Sequence, residues 1–305
     1  MIGWILERFV PWKMRALEYA EQGEEASKAV THEVIEAFLS AACAAFRSEP
    51  REVLDAMEAE LPWYRRPFFW EGHAFGACGL RAASFSSATG DAGYHAPGYR
   101  FMFYTGLGVW NGLAASRMMP RISLDPARWT EVPDFLGGRV LIAGGAAFAD
   151  VLVRQSLTPA SLARLARGGD HDWVRGTYQG AGRAAWFLYM RAPDRITALL
   201  ERFGEHAPWV AEGLGIAITY TQLAEPDRIL EQIDALPAAF APSLRAGARL
   251  CLGAAVDDDA RLAPMITALP APLADWHQQG AAVLASAGRG AEMARRVIDG
   301  LYALD

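Results

Sequence analysis

The residues best suited to acid–base chemistry lie in two glycine-rich segments of the sequence. The first segment contains Glu71 and His73, a carboxylate and an imidazole, and the second contains Arg183, a permanent positive charge. An imidazole exchanges protons near neutral pH, and an arginine stabilises negative charge that develops during a reaction. Glu71, His73 and Arg183 are therefore the candidate catalytic residues.

Their spacing limits what these residues could do together. Residues two apart on a helix point in different directions, so a direct pair between Glu71 and His73 is geometrically poor if the helix is regular. The alternative interpretation is that His73 packs in the core or at its boundary, with its hydrogen bonds satisfied there. The sequence contains no HExxH motif and no recognisable Ser/His/Asp order. The residues alone therefore do not specify a reaction.

A second set of residues could bind a substrate without transforming it. These are aromatic residues in or beside the glycine-rich segments and polar residues that directly precede a glycine. The candidates are Trp70, Tyr104, Trp110, Tyr178, Gln179, Glu212 and Tyr220. A concave surface with such rings would suit a polyene or another long apolar ligand. Two alternatives stay open, because the rings could fill the core and the polar residues could cap helices or face solvent.

Metal ions and cofactors are not indicated by the sequence. The three cysteines are far apart and show no CxxC spacing, which is typical of buried thiols in a reducing cytoplasm. The run Asp170-His171-Asp172 resembles a metal-binding cluster in composition, but adjacent residues splay around a helix start. An N-cap role for one aspartate is the better interpretation. We expect no metal site and no cofactor.

The glycine-rich segments recur along the chain at intervals of 33 to 38 residues. The leading glycines of these segments are Gly72, Gly106, Gly144, Gly180, Gly213, Gly247 and Gly280. Other residues keep a similar interval, since Pro193-Asp194-Arg195-Ile196 recurs as Pro226-Asp227-Arg228-Ile229. Such self-similarity is typical of repeat architectures.

Each interval is expected to contain two helices, the glycine-rich helix and a second one that begins at a Pro/Asp turn. Glycine inside a helix costs roughly 1 kcal/mol relative to alanine, so its repetition indicates close helix packing. The β-like run 215–221 is expected to be helical for the same reason. We predict an all-α array of helical hairpins of about 35 residues, a TPR/HEAT-like α-solenoid or an α-toroid. Residues 1–66 would form an N-terminal helical cap and residues 67–305 one continuous helical-repeat domain.

Composition excludes some partners. The chain has 305 residues, 52% of them hydrophobic, and a net charge of −6, so no basic surface for nucleic acid is indicated. The longest central apolar run without charge, residues 140–149, is too short to span a bilayer. We predict a cytoplasmic protein without a transmembrane segment, and a homo-oligomer is possible. The first 19 residues could instead lie amphipathically on a membrane or a partner.

Four segments carry a resemblance to a known family. They read Trp70-Glu71-Gly72, Tyr104-Thr105-Gly106-Leu107-Gly108, Gly180-Ala181-Gly182-Arg183-Ala184-Ala185-Trp186-Phe187 and Glu212-Gly213-Leu214-Gly215-Ile216-Ala217. In these segments the sequence resembles an uncharacterised bacterial family of unknown function, encoded in enediyne and related polyketide antibiotic gene clusters. Residues 144–149 depart from the family pattern, because they lack its acidic and imidazole positions. The resemblance implies a part in making a highly unsaturated, polyketide-like product.

Two functional hypotheses follow. The first is a biosynthetic accessory protein or enzyme that holds an apolar unsaturated substrate in a helical cavity. The second is a helical-repeat scaffold without chemistry that binds a biosynthetic partner protein on a concave face. A large apolar pocket would favour the first hypothesis, and an open polar groove would favour the second.

Overall fold

The computed structural model describes residues 25–84, 99–119, 121–122, 138–154, 156–189, 192–258, 263–287 and 293–304. Within these ranges all regular elements are helical and there is no β-strand, so the prediction of an all-α fold is confirmed. The predicted amphipathic segment 1–19, and the loop predicted for 84–98 apart from Ser84, lie outside the described residues.

The α-helices of the described residues are, in chain order, α1 (Glu25–Phe46), α2 (Arg51–Glu60), α3 (Arg66–Ser84), α4 (Arg100–Ala115), α5 (Arg139–Arg154), α6 (Pro159–Ala166), α7 (His171–Leu188), α8 (Pro193–Glu201), α9 (Ala207–Gln222), α10 (Asp227–Asp234), α11 (Ala241–Asp258), α12 (Ala263–Thr267), α13 (Leu273–Ala287) and α14 (Met293–Tyr302). Short 3₁₀ turns at Trp63–Arg65, Gly204–His206 and Ala238–Phe240 precede α3, α9 and α11. The β-like run 215–221 lies within α9, as expected.

Local sequence signals explain where several helices begin. The side chain of Asp170 accepts a hydrogen bond of 2.9 Å from the backbone N–H of Trp173 and so caps α7, which confirms the N-cap interpretation. Pro193 occupies the first turn of α8, where its missing N–H costs nothing. At the start of α6, Thr158 and Ser161 form a reciprocal capping box.

The longer helices pack in chain order. Contacts run from α1 to α3, then to α4, α5, α7, α9, α11 and α13, while the short helices α6, α8, α10 and α12 pack against neighbouring long helices. Helix α9 also contacts α1, and α11 contacts α4. The row of long helices therefore curves, because helices distant in the row meet again across it.

The glycines allow the long helices to approach closely. A Cβ on Gly180 of α7 would overlap the backbone carbonyl of Gly144 in α5, and a Cβ on Gly182 would overlap the carbonyl of Val210 in α9. Gly213 of α9 lies in the same way against the carbonyl of Gln179. The prediction that repeated glycines mark close helix packing is thus confirmed, and the lost helix propensity is offset by backbone contact.

The boundary predicted at residue 66 lies between α1 and α2 on one side and α3 on the other. Helix α1 packs extensively on α3, and Gly72 approaches the backbone of Phe38 just as Gly106 of α4 approaches the backbone of Glu71. The two predicted regions share this mode of packing, and their division at residue 66 stays a prediction.

Helix α1 also bears on the membrane prediction. Among the described residues, its segment Ala29–Phe46 is the one stretch long and apolar enough to cross a membrane, judged by length and composition. Half of that segment is buried inside the protein. This observation neither supports nor contradicts the prediction that the chain has no transmembrane segment.

Candidate functional site

A central cavity of about 130 Å³ lies between α1, α3, α4, α5, α7 and α9. All of its lining residues are buried or half-buried, and most are apolar. The lining consists of Thr31, Val34, Ile35, Phe38, Phe68, Glu71, Met102, Val109, Phe148, Leu152, Val153, Arg183, Phe187, Ile216, Ala217, Tyr220 and Thr221. We call this space the central cavity.

A smaller cavity of about 60 Å³ adjoins it, between α4, α5, α7, α9, α11 and α14. We call it the side cavity. Met102, Arg183, Ile216 and Tyr220 line both spaces and so form the wall between them. The side cavity is also mostly apolar, with Thr105, Gln179 and Cys251 as further lining groups that can form hydrogen bonds.

Glu71 and Arg183 are the charged residues among those that line the two cavities. Burial raises the pKa of Glu71 from 4.5 to about 7, and the positive charge of Arg183 opposes part of this rise. Burial likewise lowers the pKa of Arg183, against the opposing charge of Glu71. Near neutral pH, therefore, Glu71 is poised between its two protonation states, whereas an arginine stays protonated in proteins.

The Arg183 guanidinium is held between apolar and backbone groups. Its Cζ lies 5.8 Å from the centroid of the Phe148 ring, and its Nη2 lies beside Gly144 of α5. The Nε and Nη2 atoms are covered and have no hydrogen-bond partner in the described part of the chain. Nη1 is the guanidinium nitrogen left for a molecule in the cavity to reach.

Two other predicted site residues line a cavity with Glu71 and Arg183. The Tyr220 ring packs at 6.0 Å from Phe68, and its hydroxyl hydrogen-bonds with the Cys251 thiol. Burial nonetheless raises the pKa of this thiol well above its ordinary value. Gln179 lines the side cavity and donates from Nε2 to Oε1 of Glu212 at 3.2 Å.

Glu212 itself belongs to a buried ion pair. Its Oε2 accepts hydrogen bonds from Nη2 and Nε of Arg175 at 2.7 and 3.2 Å, and the Glu212 side chain has no solvent exposure. Arg175 also lies under the ring of Tyr302 from α14, 5.4 Å from its centroid. Glu212 is thus satisfied within the protein, and it lines neither of the two cavities.

The remaining predicted site residues pack in the core away from both cavities. They are Trp70, His73, Tyr104, Trp110 and Tyr178, all of them buried. His73 packs edge-on at 5.5 Å from the Trp70 ring, while Glu71 points to the central cavity, as the spacing of the two residues requires. Tyr178 lies 4.1 Å from the ring of His206, and burial raises its pKa.

Sequence reasoning missed several lining residues although the repeat interval carries a signal for them. The residue three positions after a leading glycine lines a cavity in four segments, at Val109, Arg183, Ile216 and Leu250. The residue before the glycine, which drew attention first, lines a cavity at Glu71, Thr105 and Gln179 but not at Glu212. Arg175 had no such signal.

The polar residues before the glycines do not form a solvent-facing column. Glu71, Thr105, Gln179 and Glu212 are all buried, so the alternative that they face water is wrong for these positions. Among the described residues, no group of three or more His, Cys, Asp or Glu could hold a metal ion.

The comparisons with known proteins add no relative. No family model matches the chain, and no curated protein or solved structure is significantly similar to it. The site must therefore be interpreted from its own geometry.

Proposed function

We propose that this protein binds a small apolar, unsaturated molecule in the central cavity, as an accessory protein or enzyme of enediyne- or polyketide-type biosynthesis. One observation carries the proposal: a largely apolar cavity whose charged lining residues, in the part of the chain that the structure describes, are one carboxylate, Glu71, and one guanidinium, Arg183. Small-molecule sites are typically concave and apolar with a few convergent polar groups. The biosynthetic setting rests on the resemblance of the glycine-rich segments alone.

The size of the cavity bounds the ligand. An engineered apolar cavity of roughly 150 Å³ in another protein stays dry and binds benzene. The central cavity, at about 130 Å³, suits a ligand of similar bulk, such as a ring or a short conjugated chain. A longer polyene would have to extend past Arg183 and Tyr220 into the side cavity.

Glu71 is the group that would move a proton if the protein is an enzyme. With a pKa of about 7 it can give or take a proton at neutral pH, which an ordinary glutamate does poorly. Arg183 would stabilise negative charge on the ligand. We do not include His73 in the proposed site, because it packs against Trp70 in the core.

We further propose that the long and short helices form an α-solenoid that curves into a toroid around the ligand, with residues 1–66 as its N-terminal cap. The contact between α1 and α9 supports this arrangement, because it closes the row of helices around the central cavity. The three free cysteines are consistent with a cytoplasmic location.

The first experiment asks whether a small molecule occupies the cavity. Native mass spectrometry of the purified protein should reveal a bound molecule of low mass that organic extraction releases. Ala217→Phe fills the central cavity from α9 and should abolish this adduct. The matched control Ala239→Phe, on an exposed turn, should retain it.

An empty wild-type protein is tested further by adding hexadienol, a short conjugated alcohol, in a calorimetric titration. Binding to wild type and Ala239→Phe but not to Ala217→Phe would support the proposal, provided that circular dichroism shows all three to be folded. Equal binding to all three, or to none, would contradict it and favour the protein-binding scaffold.

A further inference from the structure

We infer that the ligand of the central cavity is an apolar carboxylic acid, with its carboxylate bound to the Arg183 guanidinium and its hydrocarbon chain between the helices. This inference deepens the proposed function and rests on it. It names the chemical class of the ligand, whereas the proposed function requires only an apolar molecule.

In the described part of the chain, Arg183 carries a positive charge without a hydrogen-bonded acceptor. Its guanidinium stays charged, yet Nε and Nη2 are covered and have no hydrogen-bond partner in the described part of the chain. The Phe148 ring at 5.8 Å offers only a weak cation–π contact. A buried charge without a hydrogen-bonded partner is costly, so the arrangement calls for an acceptor.

Three arginines of the described residues are more deeply buried than Arg183, which is half-buried. Arg65 donates to Glu33 at 3.0 Å, Arg175 to Glu212 at 2.7 Å and Arg249 to Gln279 at 2.8 Å. Each of these three has an oxygen acceptor on a neighbouring helix or turn. Within the described ranges Arg183 has no such acceptor and instead faces a cavity, which indicates that its acceptor comes with the ligand.

A carboxylate is a better acceptor for the Arg183 guanidinium than a neutral oxygen. A guanidinium binds a carboxylate through charge-assisted hydrogen bonds, which are roughly twice as strong as bonds to a neutral oxygen. Glu71 does not exclude a second carboxylate, because burial already favours its neutral form and a bound anion would favour that form further. Neutral Glu71 could then donate a hydrogen bond to the ligand.

The position of Arg183 places the two ends of the ligand. Arg183 stands at the wall between the two cavities, so a carboxylate there lies at one end of the central cavity. The hydrocarbon chain then runs along Phe187, Ile216 and Ala217, which are apolar. A carboxylate placed elsewhere in the central cavity would lack a cationic partner among the described lining residues, because Arg183 is the basic residue of that lining.

The test compares two probes that differ only in the head group, hexadienoate and hexadienol. Calorimetric titrations are done at about pH 6.5, where an ordinary carboxylic acid is ionised. We expect wild-type protein to bind hexadienoate at least about 10-fold more tightly than hexadienol, the ratio that one charge-assisted hydrogen bond supports.

Variants assign the preference to Arg183. Arg183→Met keeps the unbranched stem of the side chain and removes the guanidinium and its charge, so it should bind both probes equally, with hexadienol affinity close to wild type. Arg47→Met, at an arginine whose side chain is 59% exposed, is the matched control and should keep the preference. Glu71→Gln, which keeps a hydrogen-bond donor, should bind hexadienoate at least as tightly as wild type.

Each outcome has a defined meaning. The inference is overturned if wild type binds the two probes with equal affinity, or if Arg183→Met still prefers hexadienoate. In either case, binding of hexadienol would leave the proposed function intact. If Arg183→Met does not fold, weaker hexadienoate binding by Glu71→Gln overturns it instead. Failure of both probes to bind contradicts the proposed function itself.

Discussion

Two pairs of a glutamate and an arginine lie inside the helical fold, and the side chains touch in one pair but not in the other. In the first pair, Arg175 and Glu212 touch through hydrogen bonds of 2.7 and 3.2 Å, and Gln179 satisfies the second carboxylate oxygen. In the second pair, Glu71 and Arg183 both line the central cavity and influence each other's pKa, but no hydrogen bond joins them.

The difference in contact shows how a glutamate and an arginine can serve either the stability of the fold or the binding of a ligand. A charged group that is fully hydrogen-bonded within the protein has no donor or acceptor site available for a ligand. Removing its partner lowers the stability of the protein. Charges held apart beside a cavity destabilise the empty protein and are available to a ligand. Four substitution experiments test this contrast, with expected changes in stability that range from several kcal/mol down to about 1 kcal/mol.

The largest effect is expected from breaking the satisfied pair. Glu212→Leu leaves Arg175 buried without a partner and should lower the free energy of unfolding by about 3–5 kcal/mol. The double variant Arg175→Met/Glu212→Leu should recover most of this loss, because neither charge remains. Urea denaturation of both variants checks the prediction, and a double variant no more stable than the single one would contradict it.

The second expected effect is a gain in stability when Glu71 is replaced, in contrast to the loss expected when Glu212 is replaced. Because the folded-state pKa is raised from 4.5 to about 7, folding favours the protonated carboxyl group. Its stabilising contribution is fully present below about pH 4.5 and is lost as the pH rises through about 7. Glu71→Gln does not titrate, so it should become more stable than wild type by up to about 3 kcal/mol above neutral pH.

Urea denaturation over this pH range measures the difference between Glu71→Gln and wild type. Glu60→Gln, at an exposed position at the end of α2, should follow the wild-type pH dependence and serves as the control. A constant difference between Glu71→Gln and wild type at all pH values would show that Glu71 titrates normally.

The third effect tests the close packing that holds the satisfied pair together. A Cβ on Gly213 would overlap the backbone carbonyl of Gln179, and backbone cannot move aside cheaply. Gly213→Ala should therefore lower the free energy of unfolding by about 2 kcal/mol despite the better helix propensity of alanine. Urea denaturation measures the loss, and a variant as stable as wild type would contradict this view of the α7–α9 contact.

The smallest effect on stability is expected on the cavity side. A Cβ on Gly144 would lie 2.7 Å from Nη2 of Arg183, the far end of a flexible side chain that can shift. It would also lie 3.2 Å from the carbonyl oxygen of Gly176, a tight contact that a shift of a few tenths of an ångström relieves. Gly144→Ala should stay within about 1 kcal/mol of wild type, since alanine also favours the helix. The displaced guanidinium should nonetheless weaken hexadienoate binding more than hexadienol binding, and an unchanged ratio of the two affinities would contradict the assigned position of Arg183.

Local signals in the sequence were sufficient for much of the fold. Helix caps such as Asp170, prolines in first turns and apolar spacing act within a few residues, so the helical class and the cap of α7 could be predicted. The repeated glycines also predicted close packing, because their cost in helix propensity requires a compensating contact.

The candidate site was predictable only in part. Of the residues singled out from the sequence, Glu71, Gln179, Arg183 and Tyr220 line a cavity, whereas His73 and Trp70 pack on each other in the core, and the role of all of them as a site stays a prediction. The difference depends on how each helix is rotated about its axis. Neighbouring helices set that rotation through contacts between residues more than 30 positions apart, such as Gly213 against Gln179.

Local propensity and side-chain volume therefore specify the helices, their interval and the small residues where they approach, and all of these can be predicted from the order of the residues. Which glutamate meets an arginine depends on how the helices pack. Glu212 finds Arg175 on the neighbouring long helix, and Glu71 is left facing a cavity, because ion pairing depends on distances of a few ångströms that spacing along the chain does not encode.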